Sequence, residues 1–165
     1  MSRNLIIISI LFSIIVIAGS YYFVSKSESP KVAIASYTLK DKERPIVKTI
    51  YSNFDMGSIK VSEQKSADFE VKNIGKKPLQ LYNISSSCGC TVGKIISGDK
   101  ESPEFGMHTT SNYVAEVSPG KTVKVRVIYR PYIMPVYGVV TREVYITSND
   151  PENSKLTFKV KANVK

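Results

Sequence analysis

Between Leu156 and Val164 every second residue is apolar: Leu156, Phe158, Val160, Ala162 and Val164 alternate with Thr157, Lys159, Lys161 and Asn163. Successive side chains of an extended chain point to opposite faces, so this period puts one row in a core and the other in water. The same pattern recurs in Phe69 and Val71, set between Asp68, Glu70 and Lys72. It recurs again in Val123, Val125, Val127 and Tyr129, and in Val144 and Ile146. Turn-forming strings separate these runs: Asn73 to Pro78, Ser118-Pro119-Gly120-Lys121, Tyr137-Gly138 and Ser148-Asn149-Asp150-Pro151. Pro78 and Pro131 bound strands, since a proline inside one would delete a ladder donor. Val, Ile, Thr and Tyr dominate the second half, which is strand composition. No helical period with caps follows Pro45. The pattern predicts an all-β fold over residues 45–165, an immunoglobulin-like β-sandwich of about seven strands.

The N-terminus obeys a different rule. Leu5 to Val24 contains no charged residue. About twenty helical residues rise about 30 Å, the hydrocarbon thickness of a bilayer. Tyr21 and Tyr22 stand where an interfacial aromatic belt would lie, and Lys26 follows. Residues 1–24 therefore read as one hydrophobic helix, a transmembrane anchor held in membrane lipid through residues 5–24. A cleaved signal peptide is the alternative, with Leu5 to Ala18 as its apolar region and Ala18-Gly19-Ser20 as its cleavage site. The apolar run continues through Tyr21 to Val24, which favours the anchor. With no cysteine in this stretch, a lipoprotein signal is excluded. Both readings put the bulk of the chain outside the cytoplasm, in the periplasm or at the cell surface, and secreted if the signal is cleaved. Residues 25–44, with SKSESPK and KDKER, read as a polar linker, with room for one loose strand over Val32 to Leu39.

The formal net charge is +9. The lysines are scattered singly, as at Lys60, Lys65, Lys72, Lys121 and Lys124, which is a solvated basic face. Its sharper reading is attraction to anionic head groups or wall polymers. No RNA- or DNA-binding motif accompanies the charge, so nucleic acid is not an expected partner. Beyond the first stretch about 135 residues remain, enough to build a core without obligatory staples.

Several strings together resemble one bacterial family. They are Asp55-Met56-Gly57-Ser58-Ile59, Phe69 to Gly75, Pro78-Leu79, Ser86-Ser87-Cys88-Gly89-Cys90-Thr91, Pro119-Gly120, Tyr129-Arg130-Pro131 and Ser148-Asn149-Asp150-Pro151. In order they resemble the bacterial domain-of-unknown-function family 1573, and the Ser-Ser-Cys-Gly-Cys-Thr string is the most specific. The resemblance implies an immunoglobulin-like sandwich related in shape to sperm-protein and pilus-chaperone domains. It implies no activity, because fold analogy supplies none. The chain departs from shorter members between Gly93 and Val117, where it carries what reads as a long loop insertion.

Cys88 and Cys90 are the only cysteines, and three readings stand for them. They can form a disulfide, since residues two apart come within bridging range and Gly89 permits a tight backbone; a small, strained ring could then work as a redox couple. They can be thiolate ligands: Cys88, Cys90, Met107, His108 and Met134 would make a soft set suited to copper as Cu(I) if their loops share one end of the sandwich. Zinc would want a further nitrogen or oxygen donor that the sequence does not supply. Or the pair is a structural corner, with Met107 and Met134 as core filler. No cofactor is required by any other motif.

A hydrolase constellation would have to use His108, the sole histidine, and no nucleophile elbow precedes it. Asp99, Glu101 and Glu104 read as a solvated charge run. The chain is therefore expected to be no enzyme but a binding or scaffolding module, with another envelope protein as partner. Its candidate interface is Tyr129, Arg130, Tyr132, Met134 and Tyr137, whose composition suits an interface core. The competing reading is that these residues close one end of the sandwich.

Overall fold

The computed structural model describes residues 3–25, 32–109 and 111–165, with the side chains of the N-terminal helix described from 7 to 22. The chain divides into two compact units, Met1–Val32 and Ala33–Lys165. The first contains the helix α1, Arg3–Ser25. Its described side chains are exposed all round, as at Phe12, Ile15 and Ile17. Ser13 Oγ donates to the Ser9 carbonyl and Ser20 Oγ to that of Ile17, each at 2.9 Å. Among the described residues no helix is long and apolar enough to cross a membrane.

The second unit is the sandwich. Its strands are β1 (Val47–Thr49), β2 (Asn53–Ile59), β3 (Lys65–Asn73), β4 (Leu79–Ser86), β5 (Thr91–Ser97), β6 (Lys100–Glu101), β7 (Val114–Val117), β8 (Thr122–Tyr129), β9 (Gly138–Ser148) and β10 (Lys155–Val164). One sheet runs β1-β3-β8-β5-β6 and the other β2-β10-β9-β4-β7. All pairs are antiparallel except β2 with β10. The alternating apolar rows meet between the sheets, where Phe69, Val71, Val125, Val127, Val144, Ile146, Phe158 and Val160 are almost wholly buried. Phe69 and Phe158, from opposite sheets, stack with ring centroids 5.1 Å apart. At Gly93 the sheets come so close that a Cβ would stand 2.6 Å from Val144 Cγ1 and 3.2 Å from Ile84 Cγ2.

The all-β sandwich expected from the alternation is present, with ten strands in place of seven. The extra ones are short, and two lie in the segment read as a loop insertion. There Ile95 points inward between Lys94 and Ile96, so β5 runs through what looked like loop. Lys100–Glu101 folds back on it, and β7 returns beside β4. The 25–44 stretch expected as a linker is also partly tied down. Residues 26–31 lie outside the described residues. Further on, the Ala35 amide donates to Gln80 Oε1 at 2.8 Å and Gln80 Nε2 donates to the Ala33 carbonyl at 3.2 Å. One side-chain amide takes the place of a ladder partner, so Val32 to Leu39 forms no strand.

Buried polar side chains close the end of the sandwich at which this segment arrives. Asn73 Nδ2 donates to the carbonyls of Lys77 and Val117, both at 2.8 Å, and its Oδ1 accepts from Gly75 N at 2.9 Å. Asp150 accepts from the amides of Val47 and Glu152, each at 3.0 Å. Asn149 Oδ1 accepts from Gln80 N at 2.8 Å. Buried polar groups are tolerated where their bonds are made, as these are. Gly75 packs so closely that a Cβ would stand 2.3 Å from the Arg44 carbonyl oxygen.

Candidate functional site

The opposite end is built around the turn from β4 to β5. A bulge in β4 between Tyr82 and Ser85, with Asn83 at φ 49°, redirects the strand just before the turn. Cys88 and Cys90 are joined in a disulfide, S–S 2.05 Å and Cα–Cα 5.3 Å. The turn is fixed by its backbone. Ser86 Oγ donates to the Cys88 carbonyl at 2.8 Å, Arg130 N donates to that of Cys90 at 2.8 Å, and Ser87 N donates to that of Glu143 at 2.9 Å.

The two sulfurs have different surroundings. Cys88 is half-buried and the Gly89 beside it is exposed, whereas Cys90 is 1% exposed. The Thr91 hydroxyl lies 3.3 Å from Cys88 Sγ. A disulfide sulfur has no hydrogen, so the hydroxyl is the donor. The Arg142 Nε–H donates to Cys90 Sγ at 3.2 Å, and its guanidinium stands 5.6 Å from the centre of the Tyr129 ring. Met134 brings its sulfur within 3.9 Å of where a Cβ on Gly89 would stand.

Arg142 and Thr91 are the residues that sequence reasoning missed. Arg142 sits on the inward row of β9 with Val140, Val144 and Ile146. A charge in an otherwise apolar row was the available signal. The sandwich's other arginines each meet a carboxylate: Arg44 with Glu152, Arg126 with Asp68, Arg130 with Glu104. Among the described residues none is paired with Arg142.

The expected interface set divides. Tyr129 is fully buried, not at the surface, because the alternation that turns Val123, Val125 and Val127 inward turns Tyr129 inward too. Its hydroxyl is buried without a hydrogen-bond partner among the described residues. Arg130 is committed to a bidentate pair with Glu104, both bonds 2.8 Å, and to Gln64 Oε1 at 3.1 Å. The hydrogen bonds from Arg130 hold the Glu104 carboxyl below its ordinary value. Glu101 likewise meets Lys94 at 2.7 Å, so Glu101 and Glu104 of the acidic run are ion-paired and not merely solvated. Tyr132, Met134 and Tyr137 do stand at the surface. With Ile133, Val136 and Val139 they form an apolar stretch in which each side chain is 44–67% exposed.

The soft-metal set is not assembled in this state. Both sulfurs are spent in the disulfide, so Cys88 and Cys90 offer no thiolate. Of the remaining three, Met134 reaches the cysteine turn. Met107 and His108 follow the bridge that ties Phe105 to Gly93, in an exposed turn. Among the described residues no three His, Cys, Asp or Glu side chains gather as a metal would need.

Two five-stranded sheets with a disulfide turn at one end define an immunoglobulin-like β-sandwich. The chain belongs to the family described as protein of unknown function (DUF1573), whose pattern matches residues 47–164. Among curated proteins none matches. Among solved structures it is similar to a protein of unknown function from Porphyromonas gingivalis W83, at 21% identity and TM-score 0.57. That match covers 76% of this chain and 49% of the other, so the chain spans about half the length of that protein. A family 123 glycoside hydrolase from Clostridium perfringens is similar at 9% identity and TM-score 0.50, over 68% of this chain and 22% of the enzyme. An ASH/PapD-like domain of human CEP192 matches at 13% identity and TM-score 0.46, over 84% of this chain and 97% of the domain. At these identities a likeness speaks to fold alone.

Proposed function

We propose that this chain is a membrane-anchored extracytoplasmic binding or scaffolding module, not an enzyme, that docks another envelope protein through the end bearing the disulfide. The observation that carries the reading is the exposed apolar stretch Tyr132 to Val139, six large side chains side by side on one short segment. Contiguous apolar surface of this kind marks interaction sites on otherwise polar domains, and tyrosine and methionine are enriched at interface cores.

The anchor reading rests on the uncharged run of α1. Its serine hydroxyls bond to carbonyls of their own helix, the arrangement that an apolar surrounding requires. Extraction of native membranes with carbonate should leave the full-length chain in the pellet, with its sandwich cut only by protease added outside. Recovery in the soluble fraction would overturn the anchor. The docking reading is tested by in-cell crosslinking of the Tyr132→Ala, Tyr137→Ala double variant. Loss of the wild-type crosslinked species from a folded variant is expected, and unchanged crosslinks would overturn the surface assignment.

A further inference from the structure

We propose that the Cys88–Cys90 disulfide is a thiol–disulfide exchange site, attacked at Cys88 by a protein dithiol and assisted by Arg142, which stabilises the sulfur that leaves. This goes beyond the docking reading and stands without it.

Three observations carry the proposal. The first is access. Cys88 is half-buried beside the exposed Gly89, whereas Cys90 is sealed. An incoming thiolate can reach only one of the two sulfurs, and which sulfur is attacked is set by access. The second is charge. Arg142 stands on an inward row with its Nε–H 3.2 Å from Cys90 Sγ and no carboxylate on it among the described residues. Arg142 Nη1 donates outward to the Thr141 carbonyl at 3.0 Å, yet a half-buried cation without a counter-charge keeps part of its desolvation cost. A neutral disulfide sulfur does little to offset that cost, whereas a thiolate at the same place would accept a charge-assisted hydrogen bond. The surroundings of Cys90 thus suit the opened pair better than the closed one. Cationic neighbours lower a thiol's proton affinity, and a lower affinity makes a better leaving thiolate. The third is redundancy. A bridge between residues two apart closes a very short loop, so it removes little disorder from the unfolded chain. The turn is already held by bonds from Ser86, Arg130 and Ser87.

The exchange balances as follows. A thiolate of the partner dithiol attacks Cys88 Sγ, the Cys88–Cys90 bond breaks, and its electron pair leaves on Cys90 beside Arg142. A mixed disulfide now joins Cys88 to the partner. The partner's second thiol loses its proton and attacks its own sulfur in that bond, which releases Cys88 as a thiolate held by the Thr91 hydroxyl. The partner ends as a disulfide. This chain ends as two thiols once both sulfurs take up protons, having gained two electrons and two protons.

The test uses the full-length chain in detergent, with dithiothreitol as the probe dithiol. Thiols are trapped by a maleimide mass tag, and circular dichroism follows the fold. Both thiols should appear while the sandwich stays folded. Arg142→Gln should slow their appearance about tenfold or more, and Arg142→Lys, which keeps the charge, should recover most of the rate; a role in packing alone would not be rescued this way. In Cys90→Ser, Cys88 should form a mixed disulfide with oxidised glutathione. In Cys88→Ser, Cys90 should not. Thiols that appear only as the fold is lost would overturn the proposal, as would a wild-type rate in folded Arg142→Gln. If Arg142→Gln does not fold, the serine variants decide. A folded Cys90→Ser chain that forms no mixed disulfide would overturn the assignment of Cys88.

Discussion

The two ends of the sandwich are built from different residue types and solve opposite problems. At one end Asn73, Asn149 and Asp150 are buried, and each is met by backbone amides or carbonyls. At the other end a tyrosine hydroxyl is buried with nothing among the described residues to meet it, an arginine faces a sulfur in place of a carboxylate, and six apolar side chains face solvent. Satisfied burial favours closure, since each orphaned group costs about 1–3 kcal/mol; among the described residues the closed end leaves one such atom, Arg44 Nη1, on a guanidinium whose other terminal nitrogen pairs with Glu152. Polar groups left short of partners and apolar groups left in water have to be explained by something other than stability. The difference assigns closure to the first end and leaves the second as the place for the exchange proposed above, although the family strings fall on both.

The comparison is broken most forcibly at the closed end. Asn73→Ala would strand the carbonyls of Lys77 and Val117 and the amide of Gly75. A loss of about 3 kcal/mol or more is expected in urea unfolding, and a loss under about 1 kcal/mol would show that the knot is not what closes this end. Between the ends, Gly93→Ala would push a methyl group into Val144 and Ile84 across the sheet interface. About 1–3 kcal/mol of destabilisation is expected, relieved in part by Val144→Ala in the double variant.

Acid sharpens the contrast further. Asp68 is held below its ordinary value by the hydrogen bonds from Arg126, and Glu104 by those from Arg130. A carboxyl whose folded value is depressed gives stability that is present above the unfolded value, about 4, and is lost as pH falls through the folded value. Melting temperature should therefore drop on acidification below about pH 4–5. Both pairs are partly exposed, so each contributes only about 1 kcal/mol or less. Glu104→Gln should lower the neutral-pH melt by the small amount the pair contributes and flatten the acid limb to match. An acid limb as steep as the wild type's would contradict the pairing.

The smallest effect is expected at the open end. Tyr129→Phe removes a hydroxyl that has no partner among the described residues and keeps the ring under Arg142. The orphan's cost is relieved and a small void is left, so stability should hold level or rise by about 1 kcal/mol or less. A loss above about 1.5 kcal/mol would mean that the hydroxyl is bonded after all.

Much of the sandwich was legible in the sequence because strand period is a local property. Val123 to Tyr129 and Leu156 to Val164 announce their inward rows directly. The same rows held two facts that composition obscured. Tyr129 belongs to the core by its position, although as a residue type it suggested an interface. Arg142 belongs to the core face of β9, although as a residue type it suggested solvent. The cysteine turn was visible as a motif, but its two unequal sulfurs were not. Their surroundings come from β9, and the partner residues lie far along the chain. The polar knot was hidden for the same reason. Ser148 to Pro151 read as a turn, and its bonds to Val47 and Gln80 depend on strands distant in sequence. β6 and β7 were lost because a run too short to repeat its period carries no signal.

Amide hydrogen exchange, compared between the oxidised chain and the chain reduced by dithiothreitol, tests the division of labour most directly. The amides of Thr91 and Arg130, which donate to the carbonyls of Cys88 and Cys90, report on the open end. Those of Val47 and Gly75, which donate to Asp150 and Asn73, report on the closed end. Reduction should speed exchange at Thr91 and Arg130 and leave Val47 and Gly75 as protected as before. Equal loosening at both ends would make the disulfide a staple of the whole fold and contradict its assignment as a site.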